Sequence, residues 1–387
     1  MKQNNKFRSM DVTVLSLAHL AHDTFSSFLA PLLPLLITKL GISLSMVALL
    51  DIARRIPALF NPLLGLMAER TGGKYYVIFA PAVTAICMCF VGFVNSFAMV
   101  IILLFVAGIS AALFHIPTPV VVKVASGDKV GTGMSFFMVG GELARTLGPL
   151  LAISAVSMWG LEGMYKLLPL GIGSSVILYL KLRNYDMEIL RKKKEKGDTR
   201  RIFKNYWVLF TALLFFILFQ AGMKSALTLY LPVYLTGKGA SLWFAGIALS
   251  VLQFFGVVGT LWAGSISDRF GRGSTLVVSS IGSVIFMLLF IYTQNIIVLS
   301  ILGLFLFASG PVLMAGMQDT KSNMPTFMNS MYMFINFGAS SIVIFAIGMM
   351  GDTVGLERTY LYCALAAIGT IPAGYLFSRF AKEVSTN

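Results

Sequence analysis

The stretch LAHLAHDTF, residues 17–25, sets His19, His22 and Asp23 inside a strongly apolar run. On a helix His19 falls between the other two, all three lie within an arc of about 100°, and His19 with Asp23 is an i, i+4 pair. They make one polar face. Three uses compete for it. A carboxylate in a low dielectric beside imidazoles can take up and release a proton near neutral pH, which suits proton coupling. Two histidines and a carboxylate can instead bind a divalent cation such as iron or zinc, with His115, the chain's third and last histidine, completing the set. A structural or substrate-binding cluster that releases no proton is the third use.

Other charges interrupt apolar runs: Asp51, Arg54, Arg55, Glu142, Arg145 and Lys224. Each would cost at least about 2.5 kcal/mol facing lipid, so each is expected to face a cavity or a partner. Asp51 stands three and four residues before Arg54 and Arg55, and Glu142 three before Arg145, so each acid shares a helix face with a cation. They are read either as internal ion pairs or as cations that meet an anionic substrate when the acids release them. Gln220 and Lys224 sit one turn apart and are candidate cavity residues. Counting Asp23, four cations against three acids leave one surplus cation, which favours an anionic or zwitterionic ligand.

The elements that must carry these residues follow from composition. Hydrophobic residues make up 57% of the 387, charged residues 12%, and the mean hydropathy is +0.84, which marks an integral membrane protein. The apolar runs are about 20 residues or longer, enough to cross ~30 Å of hydrocarbon as helices, and the short alternating strands of a β-barrel are missing. Twelve spans are expected, near 12–38, 44–68, 75–94, 97–121, 132–157, 163–182, 205–235, 242–266, 275–293, 296–317, 326–350 and 358–379. The basic N-terminus precedes a long, charged run without a small-residue cleavage site, and is read as leading into an uncleaved first span. Cys87, Cys89 and Cys363 all fall within spans and read as packing residues. No nucleotide-binding loop or catalytic signature is found, so no enzyme activity and no cofactor are expected, and the energy source is an ion gradient.

Placing both termini in the cytoplasm puts 22 of the 30 Lys and Arg on the inner side and only Lys39, Lys166, Lys238 and Arg358 outside. That asymmetry satisfies the positive-inside rule, so the net charge of +14 records topology in a multi-pass protein of the cytoplasmic (inner) membrane and needs no nucleic acid. Ten of the inner cations lie in residues 181–204, a long basic segment suited to anionic lipid or to a solvated linker. Residues 184–204 are accordingly read as a cytoplasmic linker between bundles 1–183 and 205–387. The halves are related: LPLLITKLGISL (33–44) matches LPVYLTGKGASL (231–242), and GLMAERTGGK (65–74) matches GSISDRFGRG (264–273). Parallel six-helix repeats joined by a cytoplasmic loop suit a rocking secondary transporter.

Gly264, Asp268, Arg269, Gly271 and Arg272 resemble the G-x-x-x-D-R-x-G-R loop motif of the major facilitator superfamily, with a looser copy at Gly65, Glu69, Arg70, Gly72 and Lys74. Glu69 stands where the motif has Asp, and Gly73 where it has Arg. The resemblance implies an all-α membrane protein of twelve helices in two pseudo-symmetric six-helix bundles, with the motif loops acting as gating latches. SLAHLAHD (16–23), FHIPTPVVVKVASGDKVG (114–131) and MVGGELARTLGPLLA (138–152) are similar to the fosmidomycin-resistance branch, although that branch's acid shortly after the span-four histidine is replaced by HIPTP. What this implies is proton-coupled efflux of a small organic substrate, with protons and membrane lipid as the other partners. Uptake symport of an organic anion and divalent-metal transport are the alternatives.

Overall fold

A computed structural model describes residues 7–61, 64, 67, 73–183, 199–320 and 325–386. Every regular element among them is helical. Ten helices are long and apolar enough to cross a membrane, from Ser9–Leu40 through Leu356–Lys382, and Lys74–Phe90 is a shorter apolar helix of 17 residues. Seventeen residues lie at the lower limit of about 17–25 for a crossing. The run expected at 44–68 is not among the ten. Its described part is a helix, Leu44–Arg55, that tightens into a 3-10 turn at Ile56–Phe60. Pro57 at the start of that turn supplies no N–H, and Asp51, Arg54 and Arg55 keep the helix from being uniformly apolar. Of the linker, residues 184–198 lie outside the described residues, while residues 199–204 belong to the Thr199–Ser225 helix.

Prolines act selectively. The fourth span divides at Ile116–Pro117 into Phe97–His115 and Thr118–Ser126. The seventh widens into a π turn at Ala226–Tyr230 just before Pro232, whose missing N–H breaks the regular ladder. Pro34, Pro149 and Pro311, by contrast, sit inside continuous helices.

The chain gathers into two compact units, one comprising Met1–Ile42, Leu49–Lys193 and Ala240–Ser250, the other Ser43–Ala48, Lys194–Gly239 and Val251–Asn387. The first packs Leu15, Ala18, Val77, Phe114, Val122 and Leu178 into one core; the second packs Leu213, Phe216, Leu276, Val312, Leu313 and Phe377. In the first unit the Ser9–Ser26 helix lies along Val130–Trp159. That approach depends on missing side chains: a Cβ on Gly140 would strike the Ser16 carbonyl, one on Gly141 the His19 ring, and one on Gly148 the Thr24 carbonyl and Ser27. Close helix approach over small residues is the usual packing device where lipid supplies no hydrophobic drive.

Each unit also carries a lysine staple. Lys39 donates to Glu162 (2.7 Å) and to the Gly92 carbonyl (2.6 Å), while Lys238 donates to Glu357 (2.5 Å). The Glu357 carboxylate holds the Lys238 ammonium above its ordinary pKa by hydrogen bonding and charge. In the sequence these lysines are only loop cations, because their carboxylate partners lie over a hundred residues away.

Replacing Gly140 with Leu is expected to cost about 1–3 kcal/mol by overpacking, seen as a drop of several degrees in the thermal midpoint of detergent-solubilised protein. Gly173, which has nothing within 4 Å of an added Cβ, should accept Leu with little change. Equal tolerance at both positions would contradict the packing described.

Candidate functional site

Polar chemistry in the first unit converges on Asp23. Its Oδ1 lies 2.9 Å from His22 Nδ1 and 3.1 Å from His115 Nε2, and its Oδ2 lies 3.3 Å from His19 Nε2. Asp23, His19 and His22 are buried, whereas the His115 side chain is 42% exposed, so His115 is the cluster's accessible member. The spacing within LAHLAHD brings the first three together on one helix. His115 arrives at the last residue of Phe97–His115, just before the Ile116–Pro117 break.

Packing fixes the rings. His19 stacks on Phe137 with centroids 4.1 Å apart, and its Nδ1 lies 2.7 Å from the Phe137 carbonyl. A carbonyl only accepts, so that nitrogen carries a hydrogen, and the Nε2 facing Asp23 has a lone pair unless the ring is doubly protonated. His22 stacks on Phe114 at 4.6 Å with planes 8° apart, and its Nε2 lies 3.0 Å from the Thr84 hydroxyl. Thr84 donates on to Ser110 (2.9 Å), which donates to the Ala80 carbonyl (3.0 Å). Thr84, Ser110 and the Phe137 carbonyl escape sequence reasoning, since hydroxyls and backbone groups elsewhere in the chain give no local signal. One donor atom each from His19, Asp23 and His115 lie within 4.8 Å of one another, near enough to share a divalent cation.

The expected acid–cation pairs form. Asp51 is fully buried and lies 2.8 Å from Arg54 Nη2 and 2.6 Å from Arg55 Nε. Arg145 lies 3.1 Å from Glu142 in a pair much more open to its surroundings. In both groups the acid is engaged by cations of its own helix, whereas Asp23 is engaged by imidazoles.

The second unit is chemically quieter. Gln220 donates to Ser309 and to the Leu306 carbonyl (3.2 Å), and the Lys224 ammonium lies 5.4 Å from the Phe307 ring centroid. Gln220 and Lys224 line a cavity of about 20 Å³ with Tyr332, Asn336 and Ser340, which the sequence does not single out. A larger cavity, about 510 Å³, is walled by Trp262, Ile266, Phe270, Val278, Leu304 and Phe305 and holds no titratable group. At the loop motif Arg272 pairs with Asp268 (2.5 Å) and reaches Asp319 (3.1 Å) at the end of Ile296–Asp319, tying neighbouring helix ends. Gly264 and Gly271 have open space around them, and Arg269 lies over the Phe270 ring. Of the first-half copy, Gly65, Glu69, Arg70 and Gly72 lie outside the described residues, and Lys74 donates to the Arg183 carbonyl (2.8 Å).

Comparisons with known proteins bear on most of the chain. A family model described as Major Facilitator Superfamily matches residues 15–344. The fosmidomycin resistance protein of Escherichia coli (strain K12) is 23% identical over 358 residues, covering 90% of this chain and 88% of its own. The multi-drug resistance efflux pump PmrA of Streptococcus pneumoniae serotype 4 (strain ATCC BAA-334 / TIGR4) is 24% identical over 273 residues, 68% of each chain. Among solved structures, a mutant of the nucleoside transporter NupG superposes with a TM-score of 0.77 at 15% identity, over 96% of this chain and 99% of that one.

Burial separates the two kinds of ion pair energetically. Asp51→Asn should destabilise by about 1.5–3 kcal/mol because it removes, at a fully buried position, the charge that two half-buried arginines share. Glu142→Gln should cost at most about 1 kcal/mol. Denaturation midpoints of the two variants in detergent check this, and equal losses would contradict it.

Proposed function

We propose, for a chain that belongs to the Major Facilitator Superfamily and is therefore a multi-pass membrane transporter rather than an enzyme, that it exchanges protons for a small organic substrate, anionic or amphiphilic, moved outward. The observation that carries the proton reading is the convergence of three imidazoles on one buried carboxylate, with His115 exposed. A buried carboxylate ringed by imidazoles can hold a proton and pass it to a side open to water. Asp23, His19 and His22 are the coupling residues in this reading, and His115 is the port through which the proton enters and leaves. Outward movement is supported by two relatives, a resistance protein and an efflux pump.

Twelve spans would form two six-helix bundles, residues 1–183 and 205–387, joined by the basic linker 184–204, with both termini in the cytoplasm of a cell whose inner membrane holds the protein. Ten apolar helices, a shorter eleventh and the sequence duplication support that count. Alternating access then follows from rocking one bundle against the other. Arg54, Arg55, Arg145 and Lys224 are the contacts for negative charge on the substrate, with Asp51 and Glu142 holding the arginines in the unoccupied state. Gln220 is a fixed polar wall. The Asp268, Arg269 and Arg272 loop would be a gate that orders helix ends on the cytoplasmic side, Arg272 being its hub through Asp268 and Asp319.

Divalent-metal transport has one observation in its favour, the closeness of His19, Asp23 and His115. It leaves unused His22, the most buried histidine, which the proton reading employs. Metal transport predicts cation binding that is abolished by His19→Ala. Uptake symport predicts accumulation when the outside is acidified.

In proteoliposomes, Asp23→Asn should abolish flux driven by an imposed pH gradient while substrate exchange without a gradient persists. Undiminished gradient-driven flux in that variant would refute the coupling assignment.

A further inference from the structure

The hydrogen bonds behind His22 have a direction. Ser110 Oγ lies 3.0 Å from the Ala80 carbonyl, which can only accept, so the serine hydrogen is spent there. Thr84 therefore donates to Ser110 Oγ at 2.9 Å, which leaves only lone pairs on the Thr84 hydroxyl oxygen to face His22 Nε2 at 3.0 Å. That nitrogen must carry a hydrogen. On the opposite edge His22 Nδ1 lies 2.9 Å from Asp23 Oδ1, and an ionised carboxylate likewise only accepts. While Asp23 is ionised, both contacts are hydrogen bonds at once only when both ring nitrogens are protonated; with the proton on Asp23 Oδ1 instead, the ring would stay neutral and protonated at Nε2 alone. Phe114, stacked 8° from parallel, keeps the ring from turning away.

We propose that Thr84 and Ser110 are positioning residues that hold His22 as an imidazolium, so that the exchanged proton rests on His22 between Asp23 and Thr84. The inference rests on the proton-coupled reading above and gives it a locus. Loading adds one proton to the Nδ1 lone pair of a ring whose Nε2 is already protonated, and release returns that proton to water through the His115 side. After release the Nδ1 lone pair faces the Asp23 oxygen and repels it. Relief needs either reversal of the hydroxyl chain, which sacrifices the Ser110 bond to Ala80, or movement of Asp23. Proton loss is thereby coupled to a rearrangement of Asp23 or of the hydroxyl chain through which Ser9–Ser26 meets Lys74–Phe90 and Phe97–His115.

The titratable surroundings are few. His19 and Asp23 share His22's own helix, and His115 comes from Phe97–His115. On Val130–Trp159, which packs along that helix, Glu142 and Arg145 engage each other. Thr118–Ser126 contributes the exposed Lys123, Leu168–Leu182 carries Tyr179 and Lys181 near its end, and Lys74–Phe90 carries Lys74, Tyr75, Tyr76 and two cysteines.

Because the chain has only three histidines, selective ¹⁵N-histidine labelling and solid-state NMR of membrane-reconstituted protein can follow each ring through a pH titration. In the wild type, His22 should pass from a neutral ring protonated at Nε2 to the imidazolium. Thr84→Val, equal in shape but without the acceptor, should weaken proton binding at His22 about tenfold, a midpoint lower by about one pH unit. Ser110→Ala should give a smaller shift in the same direction, and Thr84→Ser should restore the wild-type midpoint. An unchanged His22 midpoint in Thr84→Val, a wild-type ring that stays neutral through the titration because Asp23 takes the proton, or a neutral wild-type ring protonated at Nδ1 would overturn the proposal. The readout needs no substrate and no flux, so its failure is separable from failure of the Asp23→Asn transport test.

Discussion

A carboxylate cannot remain charged within an apolar helix bundle unless donors surround it, and Asp23 imposes that demand on the whole first unit. Three helix segments answer it. Ser9–Ser26 supplies His19 and His22, Phe97–His115 brings His115, and Lys74–Phe90 braces His22 through Thr84. The fourth participant, Val130–Trp159, contributes through absence and backbone: glycines at 140, 141 and 148 let it lie close enough for the Phe137 carbonyl to fix His19. Packing and chemistry are thus one constraint. A methyl group at Gly141 would enter the space of the His19 ring and displace the residue that faces Asp23 Oδ2.

The duplicated halves have parted at this point. Counted along the repeat offset of 198 residues, His22 falls at Gln220, and there an amide that does not titrate is tied to Ser309 and the Leu306 carbonyl. Each unit carries a lysine–glutamate staple, Lys39 with Glu162 and Lys238 with Glu357, a likeness that the contrast of His22 with Gln220 does not share. In the proposed mechanism this assigns proton-dependent change to the first unit and leaves the second as its fixed counterpart, with Lys224 as its contribution to charge recognition.

What the sequence discloses about this site is what helical spacing alone can carry. The His19, His22 and Asp23 face and the pairing of Asp51 with Arg54 and Arg55 follow from intervals of three and four residues, and the geometry contains both. His115 is legible only as the remaining histidine that could complete a metal-binding set; its contact with Asp23 depends on how two distant helices cross, which no local pattern encodes. Thr84 and Ser110 are further hidden because a hydroxyl in an apolar span ordinarily bonds back to its own helix, as Thr24 does to Leu20. The second span reads as continuous because its apolar residues outnumber its charges, yet beside Pro57 the α-helix gives way after Arg55 to a 3-10 turn at Ile56–Phe60. In the loop motif the spacing discloses the Asp268–Arg272 pair, whereas Asp319, 47 residues beyond Arg272, becomes visible only in three dimensions.

In the proposed mechanism a proton gradient moves a small organic molecule through this protein. Its most direct test is a proteoliposome flux screen over organic anions, drugs and divalent metals, with a pH gradient imposed and then collapsed by an uncoupler. Proton exchange predicts flux of an organic compound that follows the sign of the gradient and vanishes with the uncoupler. Flux confined to divalent metals, or organic flux indifferent to the gradient, would contradict it.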